Sequence, residues 1–235
     1  AADAGRIVAA EAAVGRQLVA VGFMRRYDPQ HVAVKQAIES GIMGRPVLFR
    51  GVHRNADVPP HFAADLIING SAVHDIDSAR WLLGQEIETV YARGIRTAMS
   101  LPEDVCDLVL LQLSLSGNTL ATIEVYVTAG YGYEVQAEVV GERGTAVTMQ
   151  PDHIALRVKS RRSHPVPADW LTRFQDAYVA ELNQWALALC GQPFRGASAW
   201  DGYLSLLAAD ASLKSLRSGE PEPVSCPAVP DLYCQ

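Results

Sequence analysis

An α+β fold, with one open and mostly antiparallel sheet carrying helices on one face, is what this sequence predicts, and three observations predict it. Five segments between residues 86 and 150 (EIETVYARGI, DLVLLQLSLS, TLATIEVYVT, YEVQAEVVG and TAVTMQ) are β-branched or alternating and are separated by turn signals such as SGN and GERG. Two long helical patterns, over about 168–190 and 198–217, close the chain. An alanine-rich helix followed by the short apolar run QLVAVGF opens it.

In chain order, residues 1–15 read as helix, because alanine has the best helix propensity and Ile7, Val8 and Glu11 fit helical spacing; Gly15 stops it. Residues 17–23 suit a buried, parallel strand, so residues 1–23 are expected to be the terminal piece of a truncated dinucleotide-binding domain. The chain opens inside a helix without an initiator Met, which points the same way. Residues 24–235 are then the C-terminal substrate-binding and oligomerisation domain. Pro29 opens a helix that Gly41 closes, since proline is preorganised for a first turn and glycine for a stop. PVLFRGVHRN, residues 46–55, is a strand, and Ser71 caps a helix that ends before Gly84. IALRVKS adds a further strand, and the sheet is expected to hold about six, counting residues 46–55. A Val-, Leu- and Ile-rich sheet face left open by the helices is expected to bury against a second copy.

Bulk properties exclude several classes. The net charge of −6 disfavours nucleic acid, which needs a basic face. No apolar run approaches the roughly 18 residues of a membrane span, and no signal-peptide pattern stands at the start. Cys106, Cys190, Cys226 and Cys234 form no CxxC pair, which reads as reduced thiols in a cytoplasmic protein. The histidines show no HxxxH or HExxH spacing, so no metal is expected. GxGxxG, GxxxxGK[ST] and GxSxG are absent, so no cofactor-binding residue is expected within this chain.

Candidate chemistry gathers in five places. His74 and Asp77 stand at i and i+3 on one helix face, where an imidazole beside a carboxylate moves protons or holds a hydroxyl, although most such histidines are structural. His53 and Asn55 end a strand that enters a loop, where polar groups line sites or simply meet solvent. Arg25 or Arg26 follows the last strand of the expected doubly wound piece, the position where open α/β sheets bind ligands; a surface charge pair is the alternative. Tyr131 and Tyr133 share a face at a strand start, and Trp170, Phe174, Tyr178 and Leu182 step by four along one helix stripe. Such a stripe is core in most proteins, but a tyrosine at its edge can turn its hydroxyl into a cleft.

VGFMRRYDP, GxPxxFRGVHRN, AVHDIDSARWLLG, YGYEVQAEVVGERG, DWLTRFQDAY and AWDGY, in that order, resemble the glucose–fructose oxidoreductase/inositol dehydrogenase/rhizopine-catabolism family, its inositol-oxidising branch above all. The resemblance implies an oxidoreductase that moves a hydride between a ring carbon of a cyclic polyol or sugar and NAD or NADP, with a Rossmann half and an EKP lysine upstream of Ala1. The chain alone is then expected to be inactive. The resemblance makes His74 the catalytic residue and Arg25, His53, Asn55, Asp77, Tyr133 and Tyr178 substrate-binding. Its inositol members carry an aspartate four residues before the histidine; Gly70 stands there in this sequence. A non-catalytic binding or oligomerisation module, and a dehydrogenase of another sugar, are the other readings.

Overall fold

The computed structural model describes residues 1–149, 156–159 and 161–234. His153 and three residues of IALRVKS lie outside them. Helix α1, Ala2–Val14, ends on Gly15 in the left-handed conformation, where its amide reaches back to Glu11 and Ala12. The run QLVAVGF yields only a two-residue strand, β1 (Ala20–Val21), antiparallel to Ala197–Ser198, and Leu18 is 51% exposed. The expectation of a buried parallel strand therefore fails in this chain. The Glu11 carboxylate accepts from the Leu18 amide and, at 2.6 Å, from the Val19 amide, so these donors are spent on a side chain and not on a strand ladder.

A 3₁₀ turn, Met24–Tyr27, leads to α2, Pro29–Glu39, which Asp28 caps by accepting from the His31 amide. Strand β2, Pro46–Arg54, follows, and then a π-helical segment, Ile67–Ala72, runs straight into α3, Val73–Leu83. Ser71 therefore caps nothing: the wide turn has already begun the helix upstream of it. Gly84 stops α3 in the left-handed region. Four strands build most of the sheet: β3 (Ile87–Ile95), β4 (Leu108–Leu115), β5 (Thr119–Tyr126) and β6 (Glu134–Gly141). A short β7 (Thr145–Val147) and a separate hairpin, β8 (Leu156–Val158) with β9 (Arg161–Ser163), come next. Helix α4, Trp170–Leu189, is followed by β10 (Ala197–Ser198), α5 (Ala199–Ser218) and β11 (Glu222–Pro223).

The main sheet has seven strands in the order β11-β3-β4-β5-β2-β6-β7. Every neighbouring pair is antiparallel except β2 with β5. Strand β2 thus lies in the interior between β5 and β6, and its last residues reach the same sheet end as the first residues of β6. Burial alternates along β4, β5 and β6, as a sheet covered on one face requires. Phe49, Val109, Leu111, Ile123 and Val139 point into the core, where Ile76, Ala79 and Leu82 of α3 and Ala208 of α5 meet them. Leu110 and Leu120 face outward beside ion pairs that run across the strands from Arg50 to Glu138 and from Arg54 to Glu124. The open face is more polar than the alternation of the sequence implied.

Two aromatic expectations change. The stripe of α4 is split at Phe174, whose φ of −117° breaks the helical path, so Phe174 is buried while Trp170 and Leu182 stay largely exposed. Tyr131 and Tyr133 do not share a face. Gly132 lies between them at φ 138°, a conformation other residues rarely adopt, and it turns Tyr133 inward and Tyr131 outward. All four cysteines are free, and no helix among the described residues is long and apolar enough to cross a membrane.

Ile76 sits fully buried where α3 meets the sheet. Ile76→Ala leaves a cavity there and should destabilise the fold by about 2–5 kcal/mol. Urea unfolding followed by circular dichroism measures it; an unchanged midpoint would mean that α3 is not the helix that closes the core.

Candidate active site

The site is built where α3, β2, the start of β6, the Met24–Tyr27 turn and α4 converge. Two consecutive arginines of the turn engage two aspartates of α3. Arg25 is 2% exposed and holds Asp75 with both terminal nitrogens, Nη1 to Oδ1 at 2.6 Å and Nη2 to Oδ2 at 3.2 Å. Arg26 holds Asp77 in the same two-pronged way at 3.0 and 2.6 Å, and reaches Asp201 of α5 at 3.0 Å. Asp201 itself closes the capping box at the start of α5 with Ser198. Two-pronged arginine–carboxylate geometry fixes direction as well as distance, so turn, α3 and α5 are registered to one another.

Asp75 can lie against the sheet because β2 has glycine beneath it. A Cβ on Gly51 would stand 3.0 Å from the Phe49 ring and 3.4 Å from the Asp75 carboxylate. Burial pushes the Asp75 carboxyl up, but Arg25 and His53 beside it outweigh burial and hold it well below the usual carboxylate range. His53 Nδ1 lies 2.9 Å from Asp75 Oδ2, and its Nε2 lies 3.4 Å from the Tyr133 hydroxyl. The Tyr133 ring stands edge-on to His53 and to Phe174. Behind Phe174, Asp28 binds His31 Nδ1 at 2.6 Å and Arg173 at 2.8 and 3.3 Å, which anchors the first turns of α4.

Above this buried layer opens a cavity of about 380 Å³. His53, Asn55, His74, Tyr133, Tyr178 and Trp170 form its walls, and Met24, Gly70 and Ser71 complete it. Asn55 Oδ1 and His74 Nδ1 are buried there without a hydrogen-bond partner. Such groups are paired in nearly all folded interiors, so two of them on residues that line one polar cavity mark it as a candidate ligand site. Burial, and then Arg25 and His53 beside it, push the His74 imidazole down to about 3, so the ring is neutral at pH 7. Burial pushes the Tyr133 hydroxyl up to about 12, and Tyr133 keeps its proton. The π-helical turn places Gly70 on the cavity while Ile67, Ile68 and Ala72 remain in the core. Such wide turns recur at functional sites.

Of the residues singled out in the sequence, the cavity brings together His53, Asn55, His74, Tyr133 and Tyr178. Arg25 lies beneath the wall, joined to Asp75. Asp77 is 1% exposed, belongs to Arg26 and is not part of the lining. It shares a helix face with His74 by spacing, but Arg26 draws its carboxylate toward α5. Asp75, Trp170, Met24 and Ser71 were not anticipated. A signal for Asp75 existed: the consecutive pair Arg25–Arg26 is matched by the alternate pair Asp75–Asp77 in HDID. Among the described residues no group of three His, Cys, Asp or Glu could hold a metal ion.

A second groove, of about 420 Å³, runs along Leu18–Gly22, Tyr27, Leu182, Trp185 and Phe194. It is apolar except for Glu181, whose carboxyl burial pushes up to about 7. It lacks the convergent polar groups of the first cavity.

Comparison with known proteins agrees with this geometry. Residues 31–147 match the model of the GFO/IDH/MocA C-terminal domain. The inositol 2-dehydrogenase of Rubrobacter xylanophilus is 50% identical over 234 residues, covering 99% of this chain and 67% of that protein. Inositol 2-dehydrogenase 2 of Saccharopolyspora erythraea is 43% identical, covering 97% of this chain and 67% of its own length. The crystal structure of myo-inositol dehydrogenase from Lactobacillus casei, in complex with NAD(H) and myo-inositol, superposes with a TM-score of 0.92 at 32% identity, covering 98% of this chain and 69% of that one. The chain thus spans about two thirds of the length of these relatives, and it belongs to the glucose–fructose oxidoreductase/inositol dehydrogenase/rhizopine-catabolism family of oxidoreductases.

Proposed function

We propose that this chain is the substrate-binding portion of a dehydrogenase that oxidises a ring hydroxyl of inositol or a closely related cyclic polyol with a nicotinamide dinucleotide as hydride acceptor. The observation that carries the reading is the polar cavity with two unpartnered groups, Asn55 Oδ1 and His74 Nδ1, in a chain half identical to an inositol 2-dehydrogenase. A ring of hydroxyls matches a wall of alternating donors and acceptors, and such walls discriminate strongly because a missing hydroxyl leaves a buried group unpaired. Tyr178 and Asn55 hold hydroxyls, and His74, neutral at pH 7, accepts the proton of the hydroxyl being oxidised. Arg25 and Asp77, the paired charges beneath the wall, position it without touching substrate.

The residues present do not hold a dinucleotide by themselves. No GxGxxG stands in the sequence, and α2 opens on the carboxylate of Asp28 and on Pro29, which repel a pyrophosphate where a bare helix N-terminus would attract one. We place the contacts of the cofactor, whether NAD or NADP, in the third of the relatives' length outside the match, and we read residues 1–23 as the piece that joins the two parts. The same reading puts the protein in the cytoplasm, as its free thiols favour.

The direct test joins this chain in frame to the unmatched third of the Rubrobacter relative and follows myo-inositol oxidation with NAD. His74→Ala should lower kcat by about 10² to 10⁴, the usual loss for a positioned acid/base. A wild-type kcat in the variant would make His74 structural.

Gly70 generates a second expectation. The family's carboxylate is missing there, and a Cβ at this position would meet nothing within 4 Å. Gly70→Asp should raise the His74 pKa above its present value of about 3. The sign for stability follows. The unfolded ring, near 6.5, binds protons that the folded ring refuses, so wild-type stability falls as pH drops from about 6.5 toward 3. Gly70→Asp should narrow that window. Imidazole NMR titration reads the pKa directly, and an unmoved His74 signal would contradict the electrostatic account.

The open sheet face generates a third. Leu110 and Leu120, flanked by cross-strand ion pairs, form a surface that we read as the contact between copies. Sedimentation at micromolar concentration should show an oligomer. A 25 kDa monomer alone would remove that reading.

A further inference from the structure

We propose that Asp75, which does not line the cavity, is a positioning residue for it: through His53 it sets the direction of the Tyr133 hydroxyl, so that the wall offers an oxygen acceptor to the substrate. The consequence for substrate rests on the polyol reading above; the claim about Asp75 does not.

A chain of contacts runs from Asp75 through His53 to Tyr133. Asp75 is fully buried and ionised, with Arg25 on both of its oxygens. His53 Nδ1 is 2.9 Å from Asp75 Oδ2 and 3.2 Å from Arg25 Nη2. A carboxylate only accepts, so a bare lone pair on Nδ1 at 2.9 Å would face another lone pair and repel it. Arg25 Nη2 has a second hydrogen besides the one it directs to Asp75 Oδ2, but its 3.2 Å contact with Nδ1 is longer than the 2.9 Å contact of Nδ1 with the carboxylate. The short contact is attractive only with the proton of His53 on Nδ1. A ring carrying that one proton leaves Nε2 as an acceptor. Its neighbour is the Tyr133 hydroxyl at 3.4 Å, which then donates to it. With its hydrogen turned inward, Tyr133 presents lone pairs to the cavity. Asn55, whose buried Oδ1 has no hydrogen-bond partner, lines the same cavity. An accepting oxygen at this place favours a ligand hydroxyl that donates to it.

The opposite tautomer would reverse this. With the proton on Nε2, His53 would donate to the Tyr133 oxygen, and the tyrosine hydrogen would point into the cavity. One buried carboxylate therefore selects between an accepting wall and a donating one.

The test uses the chain labelled with ¹⁵N-histidine and long-range proton–nitrogen correlation of the His53 ring. Wild type should show a protonated Nδ1 and a bare Nε2; the reverse pattern in wild type overturns the proposal, whatever the variants do. In Asp75→Asn the amide oxygen takes the Arg25 hydrogens and the amide N–H faces the ring, so His53 should switch to the Nε2 form. Persistence of the Nδ1 form in a folded Asp75→Asn would overturn it too. Tyr133→Phe keeps the ring contacts with His53 and Phe174, so the tautomer should stay as in wild type, while calorimetric affinity for myo-inositol should fall by about tenfold, the worth of one hydrogen bond. A tautomer that moves with Tyr133→Phe would show that Tyr133, not Asp75, is in control. Wild type with the expected tautomer but no affinity for myo-inositol would sink the polyol reading and leave Asp75 in its role.

Discussion

The Arg25–Asp75 pair sets the position of nearly everything else in the site. Two opposite charges are removed from water between a 3₁₀ turn and a helix, with almost no exposure on either. Their burial is tolerable only because the geometry is two-pronged and because His53 takes up the remaining capacity of the carboxylate. Breaking such a pair by removing one partner typically costs about 3–5 kcal/mol, since the other charge is left stranded. Turn, helix and strand are therefore coupled by a constraint that no one of them can relax alone. The Arg26–Asp77–Asp201 cluster repeats the device beside it and extends it to α5.

The same constraint governs the electrostatics of the cavity. The positive charge of Arg25 is matched by Asp75 but still reaches His74, where it adds to burial in keeping the ring uncharged. Gly70 leaves that effect unopposed on the cavity side. A neutral imidazole, an amide and two tyrosines then form a wall that is polar without being charged, which suits a ligand that is polar in the same way. The supporting layer is rigid where it needs to be. His53, Tyr133, Phe174 and His31 pack edge to face or tilted in a continuous row, and the Asp28–Arg173 pair ties the first turn of α4 to the Met24–Tyr27 turn and α2.

Much of the architecture was legible one residue at a time. Alternation fixed which residues of β4, β5 and β6 face the core, because a strand has only two faces. Gly15 and Gly84 marked helix ends because a left-handed stop favours glycine, and Pro29 marked a start. His53, Asn55, His74, Tyr133 and Tyr178 were all named beforehand, but it was resemblance to a family that drew them together and not their spacing. Spacing alone misjudged two of its pairs: His74 with Asp77, which Arg26 separates, and Tyr131 with Tyr133, which Gly132 separates.

What the sequence by itself determined is therefore the class of fold, the elements with strong periodicity and the family, since each is written in local pattern or in ordered motifs. The tertiary structure alone decided that β2 runs parallel to β5 inside the sheet, that the π-helical turn carries Gly70 to the cavity, and that Asp75 rather than Asp77 stands behind the wall. The pairings involved span 22 to 72 residues: Asp75 with His53 at 22, Asp75 with Arg25 at 50, and Leu120 of β5 with Leu48 of β2 at 72. Charge pairing in a buried layer is a property of where two segments meet, and no local pattern carries that information.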